Sequence, residues 1–147
     1  MLKLTQTQLA YLAGFIDGDG SIYARLKPND TYRYGFQIAP YIILFQSAKD
    51  ETNFNKICKM LNCGYLRKRK DGILEYTIGR KEEILALIKA IKPYLILKRQ
   101  QADLLEEIFK RKALVKSAKD FAKLMDLINK FADINYSKKR IKHKLTP

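Results

Sequence analysis

The chain is short of the side chains on which much hydrolytic chemistry depends. It holds one histidine, His143, set in a lysine-rich run near the C-terminus, which argues against mechanisms that need a histidine base in a folded site. Its two cysteines, Cys58 and Cys63, are too few for a metal cluster, and a reduced intracellular thiol pair is the default. Both fall on the core side of their segments, unlike an exposed nucleophile beside a base. No run of ~18 apolar residues is present, which argues against a membrane-spanning helix. Residues 1–4 are too short for a signal peptide, so the expected setting is soluble and intracellular, with no membrane partner. Acidic side chains are scarce as well: 15 stand against 29 lysines and arginines, for a net charge of +14. In a folded chain rich in tyrosine and isoleucine, such a surplus points to an anionic partner, nucleic acid first. At 147 residues, 47% of them hydrophobic, the chain can fill the core of one domain spanning 1–147, with 136–147 as a basic tail.

What is present is organised around residues 12–20, Leu-Ala-Gly-Phe-Ile-Asp-Gly-Asp-Gly. They end an amphipathic run that starts near Gln6, opened by a capping box at Thr5-x-x-Gln8. Leu9, Leu12 and Ile16, with Phe15, make one apolar face. Ala10, Ala13, Gly14 and Gly18 are small and fall on another. Glycine inside a helix costs roughly 1 kcal/mol relative to alanine, so Gly14 asks for a compensating contact. A bare face lets a second helix approach backbone to backbone. Asp19 then stands at the negative end of the helix macrodipole, the unfavourable end for an anion. If two such helices pair, their Asp19 carboxylates converge, tolerable only if one takes up a proton or a cation lies between them. A turn remains the plain alternative for Asp-Gly-Asp-Gly. A calcium loop does not fit, because its sixth and twelfth positions would be Ile22 and Pro28.

After Gly20 the period becomes two. Over residues 21–28, Tyr23, Arg25 and Lys27 alternate with Ile22, Ala24 and Leu26. Asn29-Asp30 turns the chain into a long predicted strand over 32–46, where Pro40 marks a bulge or an edge. Arg33, Gly35, Gln37, Ala39, Tyr41 and Ile43 would share its wet face. Ser47-x-x-Asp50 caps a helix carrying Phe54, Ile57, Cys58 and Leu61, and Asn62-Cys63-Gly64 stops it. A second hairpin follows over 65–70 and 73–78, around a Lys70-Asp71-Gly72 turn. Leu66, Leu74, Tyr76 and Ile78 point one way there, and Arg67, Arg69, Glu75 and Thr77 the other. Another helix carries Ile84, Leu85, Ile88 and Ile91 and ends before Pro93. From Tyr94 the pattern is helical to about Lys112, with Leu104, Leu105, Ile108 and Phe109 apolar. A last helix starts at Ser117-x-x-Asp120 and buries Phe121, Leu124, Ile128 and Phe131. The fold class is α+β, two hairpins each backed by a helix, with extra C-terminal helices.

A sheet face that mixes arginine, lysine, tyrosine and amides suits a β-ribbon laid in the major groove of double-stranded DNA. Arg25, Arg67 and Arg69 would fork onto guanine, Gln37 and Asn29 onto adenine, and Glu75 would accept from cytosine. Ala39 and Ile43 would meet thymine methyls. Tyr23, Lys27, Tyr32, Arg33, Tyr41 and Thr77 complete the candidate face. Lys138 and Lys139, in the run Ser-Lys-Lys-Arg-Ile-Lys-His-Lys, are candidate phosphate contacts.

Residues 12–20 resemble the signature of the LAGLIDADG homing endonucleases, with Phe15 and Gly18 as variants. The similarity extends through Pro93-Tyr-Leu-Ile-Leu-Lys-Arg-Gln-Gln-Ala-Asp to Asn135-Tyr-Ser-Lys, and is to the single-motif, homodimeric, intron-encoded branch. It implies a saddle-shaped antiparallel sheet on DNA and two motif helices paired at the dimer axis through Ala10, Ala13, Gly14, Asp17 and Gly18. It also implies a phosphodiester hydrolase that uses Mg²⁺, with Mn²⁺ or Ca²⁺ able to substitute for binding, and no small-molecule cofactor. By position, Asp19 matches the metal-binding acid and Gly18 the residue whose carbonyl faces the metal. Gln46 matches the water-orienting glutamine, and Lys98 the lysine that charge-balances the site. Asp17 is expected to be structural. Where relatives carry a basic residue four positions after the glutamine, this chain has Asp50, expected as half of the Ser47 capping box. The basic role is then vacant or taken by Lys49. A non-cleaving DNA-binding protein or an RNA maturase on the same scaffold is the alternative. Abundant Lys, Ile, Asn and Tyr fits an AT-rich genome, such as that of a chloroplast or mitochondrion, or otherwise a microbial cytoplasm.

Overall fold

A computed structural model describes residues 3–135 and 143–145. Helix α1 (Gln6–Asp19) begins at the Thr5 box: Thr5 Oγ1 accepts from Gln8 N–H at 3.1 Å and Gln8 Oε1 accepts from Thr5 N–H at 3.0 Å. It stops where the Gly20 N–H donates to the Ile16 carbonyl. A Cβ at Gly20 would lie 2.8 Å from Ile16 Cα, so only glycine lets the chain leave the helix here.

Strands β1 (Gly20–Pro28) and β2 (Phe36–Ser47) follow, then α2 (Glu51–Leu61), β3 (Tyr65–Lys68), β4 (Ile73–Ile78), α3 (Lys81–Ile91), α4 (Arg99–Lys112) and α5 (Ala118–Ile134). The sheet runs in the order β1-β2-β4-β3. Antiparallel ladders join β2 to β4 from Ile42↔Ile78 to Ser47↔Ile73, and β3 to β4 from Tyr65↔Thr77 to Lys68↔Leu74. Pro40 lies beyond the end of the β2·β4 ladder, where a missing N–H breaks no bond to β4.

The chain divides into two compact units. The first comprises Met1–Ile22 and Tyr41–Arg99. Its core holds Leu12 and Ile16 from α1, Ile42 and Leu44 from β2, Phe54 and Leu61 from α2, Leu74 and Ile78 from β4, and Ile84, Leu87 and Ile88 from α3. The inward position on α3 is Leu87 where the periodicity pointed to Leu85, which is half-buried. Asn62, in the left-handed conformation at φ 52°, ends α2. Gly64, at φ +83°, brings the chain so near β4 that a Cβ would sit 2.5 Å from the Thr77 carbonyl oxygen.

The second unit comprises Tyr23–Pro40 and Gln100–Pro147. Its core holds Ala24, Leu26 and Ile38 with Leu105, Ile108 and Phe109 of α4 and Phe121, Leu124, Met125, Ile128 and Phe131 of α5. Ser117 caps α5, its Oγ accepting from Asp120 N–H at 3.1 Å, and the Asp120 carboxylate accepts from Lys116 N–H at 3.0 Å. Residues 32–35 do not extend β2. They belong to a loop closed by the Asn29 N–H on the Gly35 carbonyl, with Gly35 at φ +79°. Among the described residues no helix is long and apolar enough to cross a membrane. Lys138 and Lys139 lie outside the described residues.

Candidate functional site

At the C-terminal end of α1 two carboxylates have opposite surroundings. Asp17 is 9% exposed and turned into its own chain. Its Oδ2 accepts from Ile96 N–H at 2.8 Å and its Oδ1 from Lys98 N–H at 3.0 Å. The Lys98 ammonium donates to the Asp17 carbonyl at 2.6 Å. Lys98 thereby sits on an orphan carbonyl of the last helical turn, where a cation offsets the macrodipole. Asp19 is exposed and makes no hydrogen bond or ion pair among the described residues. Gly18 beside it is exposed, and a Cβ at Gly14 or Gly18 would meet no described residue outside its own stretch of helix. The exposed small stripe is Ala10, Gly14 and Gly18. Ala13 departs from it: fully buried, it belongs to the chain's own core and cannot line an outer helix face. The Asp17 carboxylate likewise faces inward, onto Ile96 and Lys98 of its own chain.

Gln46, at the end of β2, is held by its own backbone: Oε1 accepts from Ser47 N–H at 2.8 Å. That leaves the amide nitrogen as its outward donor. Gln46 rims a pocket of about 550 Å³ whose walls include Tyr11 and Phe15 of α1 and Phe54, Ile57 and Met60 of α2. Among the described residues no hydrogen bond ties Gln46 to Asp17, Asp19 or Lys98; Asp17 and Lys98 bond to each other. The expected capping box at Ser47 is absent. Ser47 Oγ accepts from Lys49 N–H at 3.2 Å because a 3₁₀ turn, Ala48–Asp50, precedes α2. Asp50, exposed at the pocket, instead accepts from the Asn53 side-chain amide at 2.8 Å. Lys49 is exposed.

In the first unit the candidate DNA-facing residues are less free than their types imply. Glu75 is the hub of the β3–β4 hairpin. Its Oε2 accepts from Arg67 Nε at 3.2 Å and Nη2 at 2.8 Å, and its Oε1 from Arg69 Nη1 at 3.2 Å. Arg69 Nη2 also reaches Asp71 at 2.5 Å. Glu75 is thus committed to two arginines in the free chain and is not an open acceptor for cytosine. Arg67 keeps its end-on Nη1 edge, whereas both Nη groups of Arg69 are engaged. Thr77 and Ile43 are buried; they oppose one another across the ladder, with Tyr65 opposite Thr77 on the other side. Neither presents an open contact surface. Tyr41 is half-buried.

In the second unit Arg25 is exposed on β1, with Tyr23 and Lys27 half-buried. Tyr32 and Arg33 lie in the loop, Arg33 stacked 5.3 Å above the Tyr34 ring. Asn29 Oδ1 accepts from both Thr31 N–H at 3.0 Å and Thr31 Oγ1 at 2.7 Å. A two-point contact with adenine needs that oxygen, so Asn29 serves the turn. Gln37 is half-buried and Ala39 is buried, which removes Ala39 from the readable surface.

The thiols offer no nucleophile. Burial pushes Cys58 up to about 11, and burial followed by neighbouring Glu83 raises Cys63. Among the described residues no three histidine, cysteine or acidic side chains gather to hold a metal. The oxygen donors at the end of α1, the free Asp19 carboxylate and the Gly18 carbonyl, suit a hard divalent cation in type, but one chain supplies a partial set. Asp71 and the shared grip of Glu75 escaped the sequence reading, although the turn at Lys70-Asp71-Gly72 fixes a register that pairs Arg67 with Glu75.

Comparison with known proteins agrees with this geometry. The family model described as "LAGLIDADG endonuclease" matches residues 12–110. DNA endonuclease I-CvuI of Chlorella vulgaris is 34% identical over 138 residues, covering 92% of this chain and 84% of that protein. DNA endonuclease I-CreI of Chlamydomonas reinhardtii is 30% identical over 139 residues, covering 94% and 85%. A crystal structure of I-CvuI on a DNA target with Mg²⁺, in which the DNA is not cleaved, superposes with TM-score 0.85 at 32% identity, covering 92% of this chain and 87% of that one. The archaeal intron-encoded I-Vdi141I, complexed with DNA, shares the fold at TM-score 0.78 and 20% identity, covering 95% and 90%. The chain belongs to the LAGLIDADG endonuclease family, and its α+β fold is that of the family's homing endonucleases.

Proposed function

We propose that the chain is a site-specific, homing-type double-strand DNA endonuclease, active as a homodimer with Mg²⁺. The observation that carries this reading is the unbonded, exposed Asp19 at the end of the motif helix, two residues from a buried Asp17 that holds Lys98 against the same helix end. Complexes of I-CvuI with DNA in Mg²⁺ and in Ca²⁺ support a divalent metal. A second copy is supported by surfaces of the first unit that no described residue covers: the stripe Ala10, Gly14 and Gly18, and the pair Ile96 and Leu97, 84% and 70% exposed.

In this reading Asp19 and the Gly18 carbonyl of each chain would hold the cation. A cation bound there supplies Lewis-acid stabilisation of phosphate charge and a more acidic water. The chain's own residues do the rest. Gln46, its Oε1 fixed by Ser47, offers its amide nitrogen to orient water. Lys98, placed by Asp17, sets a fixed positive charge against the charge that develops at phosphate. Arg67 and Arg25 present side chains to base edges, and the net charge of +14, doubled in a dimer, draws in the phosphate backbone. A non-cleaving relative on the same scaffold is favoured by one observation, the acidic Asp50 beside Gln46. An organellar or microbial host is part of the same proposal.

The test is a supercoiled plasmid carrying the sequence that the gene interrupts. Linear product that forms with Mg²⁺ and not with EDTA is expected. Tight binding without strand scission would favour the non-cleaving reading.

A further inference from the structure

The loop between β1 and β2 is braced by rings. Its backbone closes on itself: Asn29 N–H donates to the Gly35 carbonyl at 2.8 Å, Tyr32 N–H to the Asn29 carbonyl at 3.1 Å and Gly35 N–H to the Tyr32 carbonyl at 2.9 Å. Tyr34 then stacks on Phe121 of α5, ring centroids 4.9 Å apart and planes at 23°. Phe121 is buried in the core of the second unit, so this stack ties the loop to that core. The Tyr34 Oη is buried and has no hydrogen-bond partner among the described residues. The ring, and not the hydroxyl, therefore holds Tyr34 in place. Over the same ring lies the Arg33 guanidinium, 5.3 Å from the centroid and within cation–π range. Arg33 is exposed, and among the described residues no hydrogen bond or ion pair engages its N–H groups. Arg67 and Arg69 differ, because carboxylates hold them. A ring partner orients a guanidinium and leaves its donor edge open.

We infer that Arg33 reads a guanine in the DNA target and that Tyr34 and Phe121 aim it. Tyr34 and Phe121 touch no DNA in this scheme; they act through Arg33 and are positioning residues. The inference rests on the endonuclease reading above. A guanidinium with an open edge offers two parallel N–H donors, which match the O6 and N7 acceptors of guanine in the major groove. A long side chain gives up rotamer freedom when it docks, and that ordering entropy is subtracted from affinity. Resting on a ring that is itself fixed by α5, Arg33 has lost part of that freedom beforehand. The helices of the second unit thus contribute to base preference without contacting a base.

The test is a selection of full-chain variants on randomised duplexes, followed by titration of the preferred duplex and of single-base changes across a salt series. The parent should favour one guanine in each half-site by about tenfold, and Arg33→Ala should lose that preference alone. Arg33→Lys, with the charge but no fork, should lose it too while keeping the parent salt slope. Both changes are at an exposed position and disturb no packing. Tyr34→Leu and Phe121→Leu keep apolar bulk but break the stack; each should cut the same preference to about threefold and leave other positions as in the parent. Tyr34→Phe keeps both ring contacts and should keep the full preference. If Arg33→Ala weakened all duplexes alike, with a shallower salt slope, Arg33 would be a phosphate contact and the assignment would be overturned. Full preference in both leucine variants, or its loss in Tyr34→Phe, would overturn the aiming role of the rings. A parent chain with no base preference at any position would instead sink the endonuclease reading.

Discussion

Two carboxylate–cation clusters of the first unit use one chemistry for different ends. At the α1 junction, Asp17, itself buried, grips partners 79 and 81 positions away in sequence through part-buried backbone donors. On the β3–β4 hairpin, Glu75 and Asp71 grip arginines two to eight positions away, and the Arg67 side chain is 63% exposed. The more buried cluster holds a chain crossing in place, and losing the carboxylate removes the acceptor of two part-buried donors. The exposed cluster adds little to stability, because solvent screens it. What it sets is the direction in which the guanidinium groups point. Asp19 stands apart from both: among the described residues its carboxylate joins neither network. A carboxylate spared from structural duty at a helix end is available for a cation.

That contrast predicts four results of decreasing size. Asp19→Asn should lower strand scission at least ~10³-fold, about 4 kcal/mol of barrier, while gel-shift affinity holds or tightens. Asp17→Ala should instead destabilise the fold by about 2 kcal/mol in urea titration, from two part-buried N–H groups that lose a charged acceptor. If Asp17→Ala proved neutral to folding, the junction would not be structural. Leu97→Glu should weaken a dimer about thirtyfold, roughly 2 kcal/mol, by sedimentation across a concentration series, since it puts a charge where apolar surface is expected to be covered. Glu75→Gln should change stability by less than ~1 kcal/mol. It should nonetheless broaden base preference at the positions read by Arg67, by about 1 kcal/mol in a selection from randomised duplexes; an unaltered preference would mean that the hairpin network is ornamental to recognition.

A further comparison separates Glu75 from its chain neighbour Tyr76, which lies on the opposite face of β4. Burial pushes the Tyr76 hydroxyl, bonded to the Cys63 carbonyl, up to about 12 from its ordinary 10.0. Cys58 is raised from 9.0 to about 11. In both the folded state favours the protonated form. Their contribution is complete below the ordinary values and lost as pH climbs through the raised ones. The urea midpoint should therefore begin to fall above pH 9 and continue to about pH 12, and Tyr76→Phe should flatten the upper part of that fall.

The sequence made the local devices legible and the distant ones opaque. The Thr5 box, the α1 boundary and the hairpin around Asp71 are encoded within a few residues, and each stands where expected. Asn29-Asp30 turns the chain as expected, but residues 32–35, which alternate as a strand would, remain in the loop. The Asn29 side-chain turn and the positive φ of Gly35 override that pattern. Ala13 was misplaced by its size: at 100° per residue it falls with Leu12, Ile16 and Asp17, the face that is buried. The role of Glu75 needed register as well as face. Asp17 was expected to be structural, but its grip on Ile96 and Lys98 joins segments that no short-range pattern relates.

The central claim is that each chain contributes half of a catalytic centre through Asp19. Co-expressing parent and Asp19→Asn chains in equal amounts gives about one quarter parent dimers, one half mixed dimers and one quarter variant dimers, if pairing is random. Total strand scission, nicked plus linear plasmid with Mg²⁺, should then fall to about one quarter of the parent rate. Scission near one half, with nicked circles accumulating from mixed dimers, would mean that each Asp19 works alone, and would contradict the claim.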